Sequence, residues 1–166
     1  MDFARHRFGQ GWAAVRRRLL RMRHFRGHGV HSPFVYALVR EVFMRSSLMP
    51  GERALFRRSI EAGVAERQAV QLQNLAIHAG YRTFGLNRPE GELYIATREL
   101  PQPEVLALVR RAAETGAAVA VLEPCRGSVR QQFCCRLVTD HRSTSVDNRA
   151  CLLLFNNGLP KQHFVL

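Results

Sequence analysis

The run AAVAVL, residues 117–122, holds six apolar side chains with no polar interruption. A strand with one wet face alternates apolar and polar residues. A short continuous apolar run between helices is what a strand buried on both faces requires, the condition of a parallel strand with helices above and below it. Both flanks fit. Upstream, Pro103 opens a helical stretch that runs through Glu114 and is stopped by Gly116; downstream, Ser128 stands where it would cap a second helix bearing Val129, Phe133 and Leu137.

Beyond that second helix the chain reads as strand. STSVD (143–147) and ACLLLF (150–155) flank Asn148-Arg149, and HFVL (163–166) follows the turn Asn156-Asn157-Gly158. On the other side, YRTFGL (81–86) and ELYIAT (92–97) are short strand patterns around the turn Arg88-Pro89-Glu90-Gly91. They follow a helix over 67–79 (RQAVQLQNLAIHA) that Gly80 caps. This order predicts an α/β fold: a partial Rossmann-like sheet over 67–166, mostly parallel, with a C-terminal antiparallel hairpin.

Residues 1–66 form a different, basic helical region. Phe8, Trp12, Val15, Leu19 and Met22 lie along one helical stripe, with Arg16, Arg17, Arg18, Arg21 and Arg23 mostly off it. A second helix starts at Ser32, a natural N-cap, with Pro33 at the first helical position and Phe34, Val35, Leu38, Val39, Val42 and Phe43 as its apolar face. Pro50-Gly51 ends that unit, and a third helix with Leu55, Phe56, Ile60 and Val64 follows. Residues 1–58 carry 13 Arg against Asp2, Glu41 and Glu52, so most of the chain's net charge of +12 sits there. Such a block can attract nucleic acid or an acidic membrane surface, or it can be the solvated face of a helix.

No run of about 18 apolar residues is present, and Arg clusters occupy the place of a signal peptide's apolar core. Cys125, Cys134, Cys135 and Cys151 show no Cys-x-x-Cys or zinc-finger spacing, so reduced thiols in a cytoplasmic protein are the expectation. Adjacent Cys134 and Cys135 point to different sides of a helix.

Two stretches carry a resemblance. RGHGVHSPFVYALVREVF (26–43) is similar to the N-terminal region of a bacterial subgroup of class I S-adenosylmethionine-dependent methyltransferases, which has an HSPF-type segment before its Rossmann domain. SVDNRACLLLFNNGLPKQHFVL (145–166) resembles that subgroup's C-terminal strands. Between them, QLQNLAIHAGYRTFGL looks like the helix and strand before the family's fourth sheet strand, and AVAVLEP like its fifth strand and tip. The resemblance implies a methyltransferase with S-adenosylmethionine as cofactor. The chain departs from the family where that cofactor binds. No acid-x-Gly-x-Gly follows any predicted strand, and the one Gly-x-Gly, Gly27-His28-Gly29, lies in a basic loop. Only helix-like residues lie between Pro50 and Tyr81, so the first strand, its loop and the second strand look deleted. Thr97 and Arg98 stand where the family has an acid after its fourth strand, and Pro124 replaces one of the paired acids after its fifth.

The candidates for catalysis are therefore His28, His31 and Glu123. A histidine near neutrality can act as a general base, while the bland reading has His31 and Ser32 fixing a loop-to-helix turn through backbone hydrogen bonds. Glu123, a lone carboxylate, is a poor hard-metal site and reads as a loop-anchoring acid; no metal site is expected. Three functional expectations follow: a degenerate or shortened methyltransferase relative with little or no methyl transfer by itself; a small basic interaction protein that binds through its Arg-rich helix; or a protein completed by a second copy or another chain at an open sheet edge.

Overall fold

The computed structural model describes residues 32–166. His28, His31 and the arginines Arg16, Arg17, Arg18, Arg21 and Arg23 lie outside the described residues. The described part is a mixed α/β structure with a six-stranded mixed sheet and five α-helices. The strands are β1 (Phe84–Leu86), β2 (Leu93–Ala96), β3 (Ala118–Leu122), β4 (Ser145–Asp147), β5 (Cys151–Leu154) and β6 (His163–Val165), in the order β1-β2-β3-β5-β4-β6. The helices are α1 (Pro33–Leu38), α2 (Ala54–Glu61), α3 (Glu66–Ala79), α4 (Gln102–Thr115) and α5 (Ser128–Asp140), and one π-helical turn (Val39–Phe43) extends α1.

β3, the apolar run, is buried at all five positions. It pairs parallel with β2 and antiparallel with β5, which lies antiparallel between β3 and β4. Helices on both sides account for its lack of alternation. On one face, Leu93, Ile95, Ala120, Val146 and Leu153 pack against Val35, Leu38 and Val42 of the first helical unit, Leu55 of α2, and Leu72 and Leu75 of α3. On the other, Tyr94, Val119, Val121, Leu152 and Leu154 pack against Val105 and Leu108 of α4 and Phe133 and Leu137 of α5. Residues 32–66 thus share one core with the sheet.

Helix ends follow local chemistry, with two departures from the sequence expectations. Ser32 Oγ accepts the Val35 N–H at 3.4 Å and Pro33 opens α1. Gly80 and Gly116 close α3 and α4. At α5, however, Gly127 is the N-cap and Ser128 is the first helical residue, with no side-chain cap bond, so Ser128 does not cap. The same turn puts Val129 in solvent, 68% exposed, and leaves Phe133, Cys134 and Leu137 to pack inward. In α2 the phase also differs: Leu55 and Ser59 are buried and Ile60 is 41% exposed.

β1 and β2 run parallel, in keeping with a mostly parallel sheet, with Phe84 opposite Leu93 and Leu86 opposite Ile95. Parallel neighbours ordinarily need a connection of about a dozen residues or more; here residues 87–92 suffice. Asn87, in the left-handed region at φ 57°, turns the chain off β1. The loop then folds back over Gly85, where an added Cβ would stand 2.8 Å from Glu90 O and 2.9 Å from Glu90 N. Glu92 ends the return at the start of β1, its Oε2 accepting the N–H groups of Arg82 (2.7 Å) and Thr83 (3.1 Å). Those two bonds hold the Glu92 carboxyl below its ordinary pKa.

Candidate functional site

Two places gather chemistry-bearing side chains. The first is the carboxyl end of the parallel strands, where open α/β sheets bind ligands. Asn87, just past β1, is doubly tied to Thr97, just past β2: its Oδ1 accepts the Thr97 N–H at 2.8 Å and its Nδ2 donates to Thr97 Oγ1 at 3.0 Å. Arg130, in the first turn of α5, reaches back over the tips of β2 and β3. Its guanidinium donates to Leu122 O (2.8 Å), Glu123 O (3.2 Å) and Thr97 O (3.3 Å). These carbonyls are filled by the chain itself.

Glu123 stands at the tip of β3 with φ 49°, so its backbone is in the left-handed region that side chains adopt with difficulty. Its carboxylate lies 3.3 Å from Arg126 and 3.9 Å from Arg98, and Arg98 in turn pairs with Glu99. All of these groups are substantially exposed, and ion pairs of that kind contribute roughly 0–1 kcal/mol each. The arrangement ties the loop after β3 to Arg98 and Arg126. No group of three or more His, Cys, Asp or Glu able to hold a metal ion occurs among the described residues.

The second place is a cleft of about 320 Å³ between α5 and the far side of the sheet. It runs alongside α5, where the helical cover of the sheet gives out. The apolar cluster under α4 and α5 draws on β2, β3 and β5 and holds no residue of β4 or β6. In the parallel pair β4–β6, Ser145 faces His163 and Asp147 faces Val165, so these four side chains share one side of the sheet. Asp147, His163 and Val165 line the cleft together with Cys134, Val138 and Leu152.

The polar groups there form a small network. His163 Nδ1 is 2.9 Å from Ser145 Oγ, whose hydroxyl also lies 3.4 Å from Gln162 O. Surrounding protein lowers the His163 pKa by desolvation, and the Asp147 carboxylate opposes that shift. Asp147 Oδ1 accepts the Arg149 N–H at 2.8 Å. Burial pushes the Cys134 thiol up to about 11, so it is a protonated apolar wall at neutral pH. Cys151, beneath the first face, is driven well above its ordinary value for the same reason. Cys125 and Cys135 are exposed at the rim.

Of the sequence candidates, Glu123 is at the strand tips, and Ser32 and Pro33 begin a helix on the opposite face of the sheet from the cleft. Asp147 and His163 escape a motif search because no spacing links them. Their one sequence signal is that Ser145-Val146-Asp147 alternates, as a strand with one open face does. No helix among the described residues is long and apolar enough to cross a membrane. No protein-family description, curated protein or solved structure matches the chain.

Proposed function

We propose that the described region is the second half of a class I methyltransferase-type, Rossmann-like sheet that keeps the scaffold and lacks the cofactor turn, so that the chain by itself transfers little or no methyl. The observation carrying this is the path of the chain from β2 to β5. Two parallel strands with a helix between them are followed by a second helix and then by a hairpin whose last strand inserts antiparallel between β3 and β4. This path supports the reading, since a half sheet closed by a hairpin is what the resemblance implies.

The residues at the strand tips do not fit S-adenosylmethionine. A dinucleotide-type site needs open backbone N–H groups on a glycine-rich turn and an acid for the ribose hydroxyls. In their place, Thr97 is tied to Asn87 and Arg130 covers the carbonyls of β2 and β3, while the connection after β1 folds over Gly85. Isothermal titration of the full chain with S-adenosylmethionine tests the reading. The expected result is no saturable heat; micromolar binding overturns it.

Charge asymmetry favours a second reading, a basic interaction protein. Thirteen arginines fall in residues 1–58, and Arg53, Arg57 and Arg58 of that set are exposed on or beside α2. On this reading, affinity for an anionic polymer or for an acidic lipid surface falls steeply as salt rises. Binding unchanged between low and physiological salt removes it.

A further inference from the structure

The cleft beside α5 runs from Pro124 and Cys125, just past the tip of β3, across to β4 and β6, and plays no part in the reading above. Its volume of about 320 Å³ is at the small end of the range for small-molecule sites. Its walls are largely apolar, from Val138 and Leu152 on one side to Val165 on the other. Apart from the thiols, the polar features are few: the Asp147 carboxylate, the His163 imidazole and the Gln131 carboxamide. Apolar walls with a small number of placed polar groups are the ordinary make-up of a ligand pocket.

Asp147 sets the sign of the occupant. It is half-buried and enters none of the ion pairs found among the described residues. Its one hydrogen bond, from the Arg149 N–H, uses Oδ1. A partly desolvated carboxylate without a cation is unfavourable, and a cation brought by a ligand relieves it. Arg130 of α5 donates to the carbonyls of Thr97, Leu122 and Glu123. The lone lysine, Lys161, donates to Thr139 O at 2.6 Å. His163 has Nδ1 engaged with Ser145, which holds the ring at the cleft wall as a polar neighbour to Asp147.

We propose that this cleft binds a small organic cation with an apolar body: its ammonium group pairs with Asp147, and its apolar part lies against Val138, Leu152 and Val165. The chemical class is a primary or substituted amine of roughly the size of one aromatic ring, as a volume of this order allows.

The test uses the full chain with benzylamine, protonated at neutral pH, and benzyl alcohol as its neutral counterpart. Backbone amide NMR follows Cys134, Val138, Asp147, Leu152 and Val165, and mass spectrometry follows iodoacetamide labelling of Cys135 at the rim. The expected result is a saturable shift of those amides by benzylamine, with slower labelling of Cys135. Benzyl alcohol should bind about tenfold more weakly, the difference one charge-assisted hydrogen bond makes. In Asp147→Asn, which retains the Oδ1 acceptor for Arg149, the two probes should become equal while benzyl alcohol binding is unchanged. Should that variant fail to fold, phenylacetate on the native chain replaces it and should bind more weakly than either probe. Equal affinity for amine and alcohol, preference for phenylacetate, or shifts confined to residues away from the cleft would each overturn the proposal.

Discussion

The two faces of the sheet are built to different degrees of completion. The α1–α3 face gathers side chains from all six strands, from Phe84 and Leu86 on β1 to Phe164 on β6, into one apolar cluster. The α4–α5 face draws only on β2, β3 and β5. On that side β1 is covered by its own connecting loop at Gly85, and β4 and β6 are left to the cleft. The same strands therefore serve as closed core on one side and as the wall of an open space on the other. Chemistry follows coverage: the half-buried carboxylate and the imidazole sit on the incomplete face.

The strongest way to break this comparison is to truncate an apolar side chain on each face. Leu153, 2% exposed at the centre of the closed face, should lose about 2–5 kcal/mol on substitution by Ala, through lost burial plus the cavity left behind. Val138→Ala, at the cleft wall where the side chain is only partly buried, should lose under about 1 kcal/mol. Urea denaturation of both variants measures the difference. Equal losses would mean that the second face is as tightly closed as the first.

A smaller but still large effect belongs to Gly85→Ala. The new Cβ would meet the backbone of the returning loop, and backbone yields less readily than a side-chain tip. A loss of roughly 1–3 kcal/mol is expected. Cys135→Ala, at an exposed rim position of the same face, should lose almost nothing and serves as the control. A neutral Gly85→Ala would show that the loop can lift away from β1.

These contrasts explain what the sequence discloses and what it conceals. The α/β class is legible because AAVAVL lacks alternation and Gly80, Gly116 and Pro103 punctuate its flanks; these are local signals with local causes. The path of the short connection from β1 to β2 is not, because it is made by a loop folding back over Gly85. A glycine inside a strand pattern does hint at close backbone approach. Ile60 and Val129 are exposed because helix phase is set by which residues meet the sheet, so Ser59 and Cys134 go inward instead. Glu123 is recognisable as a strand-tip acid, but the arginines that engage it come from beyond β2 and from the loop before α5. The cleft depends on how α5 lies beside β4 and β6, a tertiary fact with no local pattern.

Acid should probe the buried histidine at the junction of the two faces. His141 Nε2 is 2.9 Å from Phe155 O, and since a carbonyl only accepts, that nitrogen carries the proton. Burial lowers the His141 pKa below the ordinary 6.5, and His163 shifts the same way. The unfolded chain therefore takes up protons first as pH falls below about 6.5, so the stabilising contribution is complete above that value and is lost as pH drops toward the folded-state values. Glu92 has the same sign but acts only below its ordinary 4.5. A drop in Tm between pH 7.5 and 5.5 is expected, with a shallower drop in His141→Gln. An unchanged slope in that variant would move the acid sensitivity to other groups.

The finest contrast sets two buried serines against each other. Ser59, 0% exposed in α2, lies under the closed face with an Oγ that has no hydrogen-bond partner among the described residues. Ser145, 2% exposed on β4, is bonded to His163 at the cleft. Deleting an unsatisfied buried hydroxyl removes a desolvation cost, and Ala is also the better helix former, so Ser59→Ala should be neutral or stabilising by up to about 1 kcal/mol. Ser145→Ala deletes a made bond and frees the His163 ring, so it should destabilise by about 0.5–1.5 kcal/mol. The two changes remove the same atom from equally buried sites, and only the partner differs. Opposite signs in chemical denaturation would show that the closed face tolerates a polar atom by burying it unpaired, whereas the open face uses its polar atom to position a ring. If Ser59→Ala destabilised as much as Ser145→Ala, the Ser59 hydroxyl would have to be donating to a backbone carbonyl one turn earlier in α2, and the closed face would be as fully hydrogen-bonded as it is fully packed.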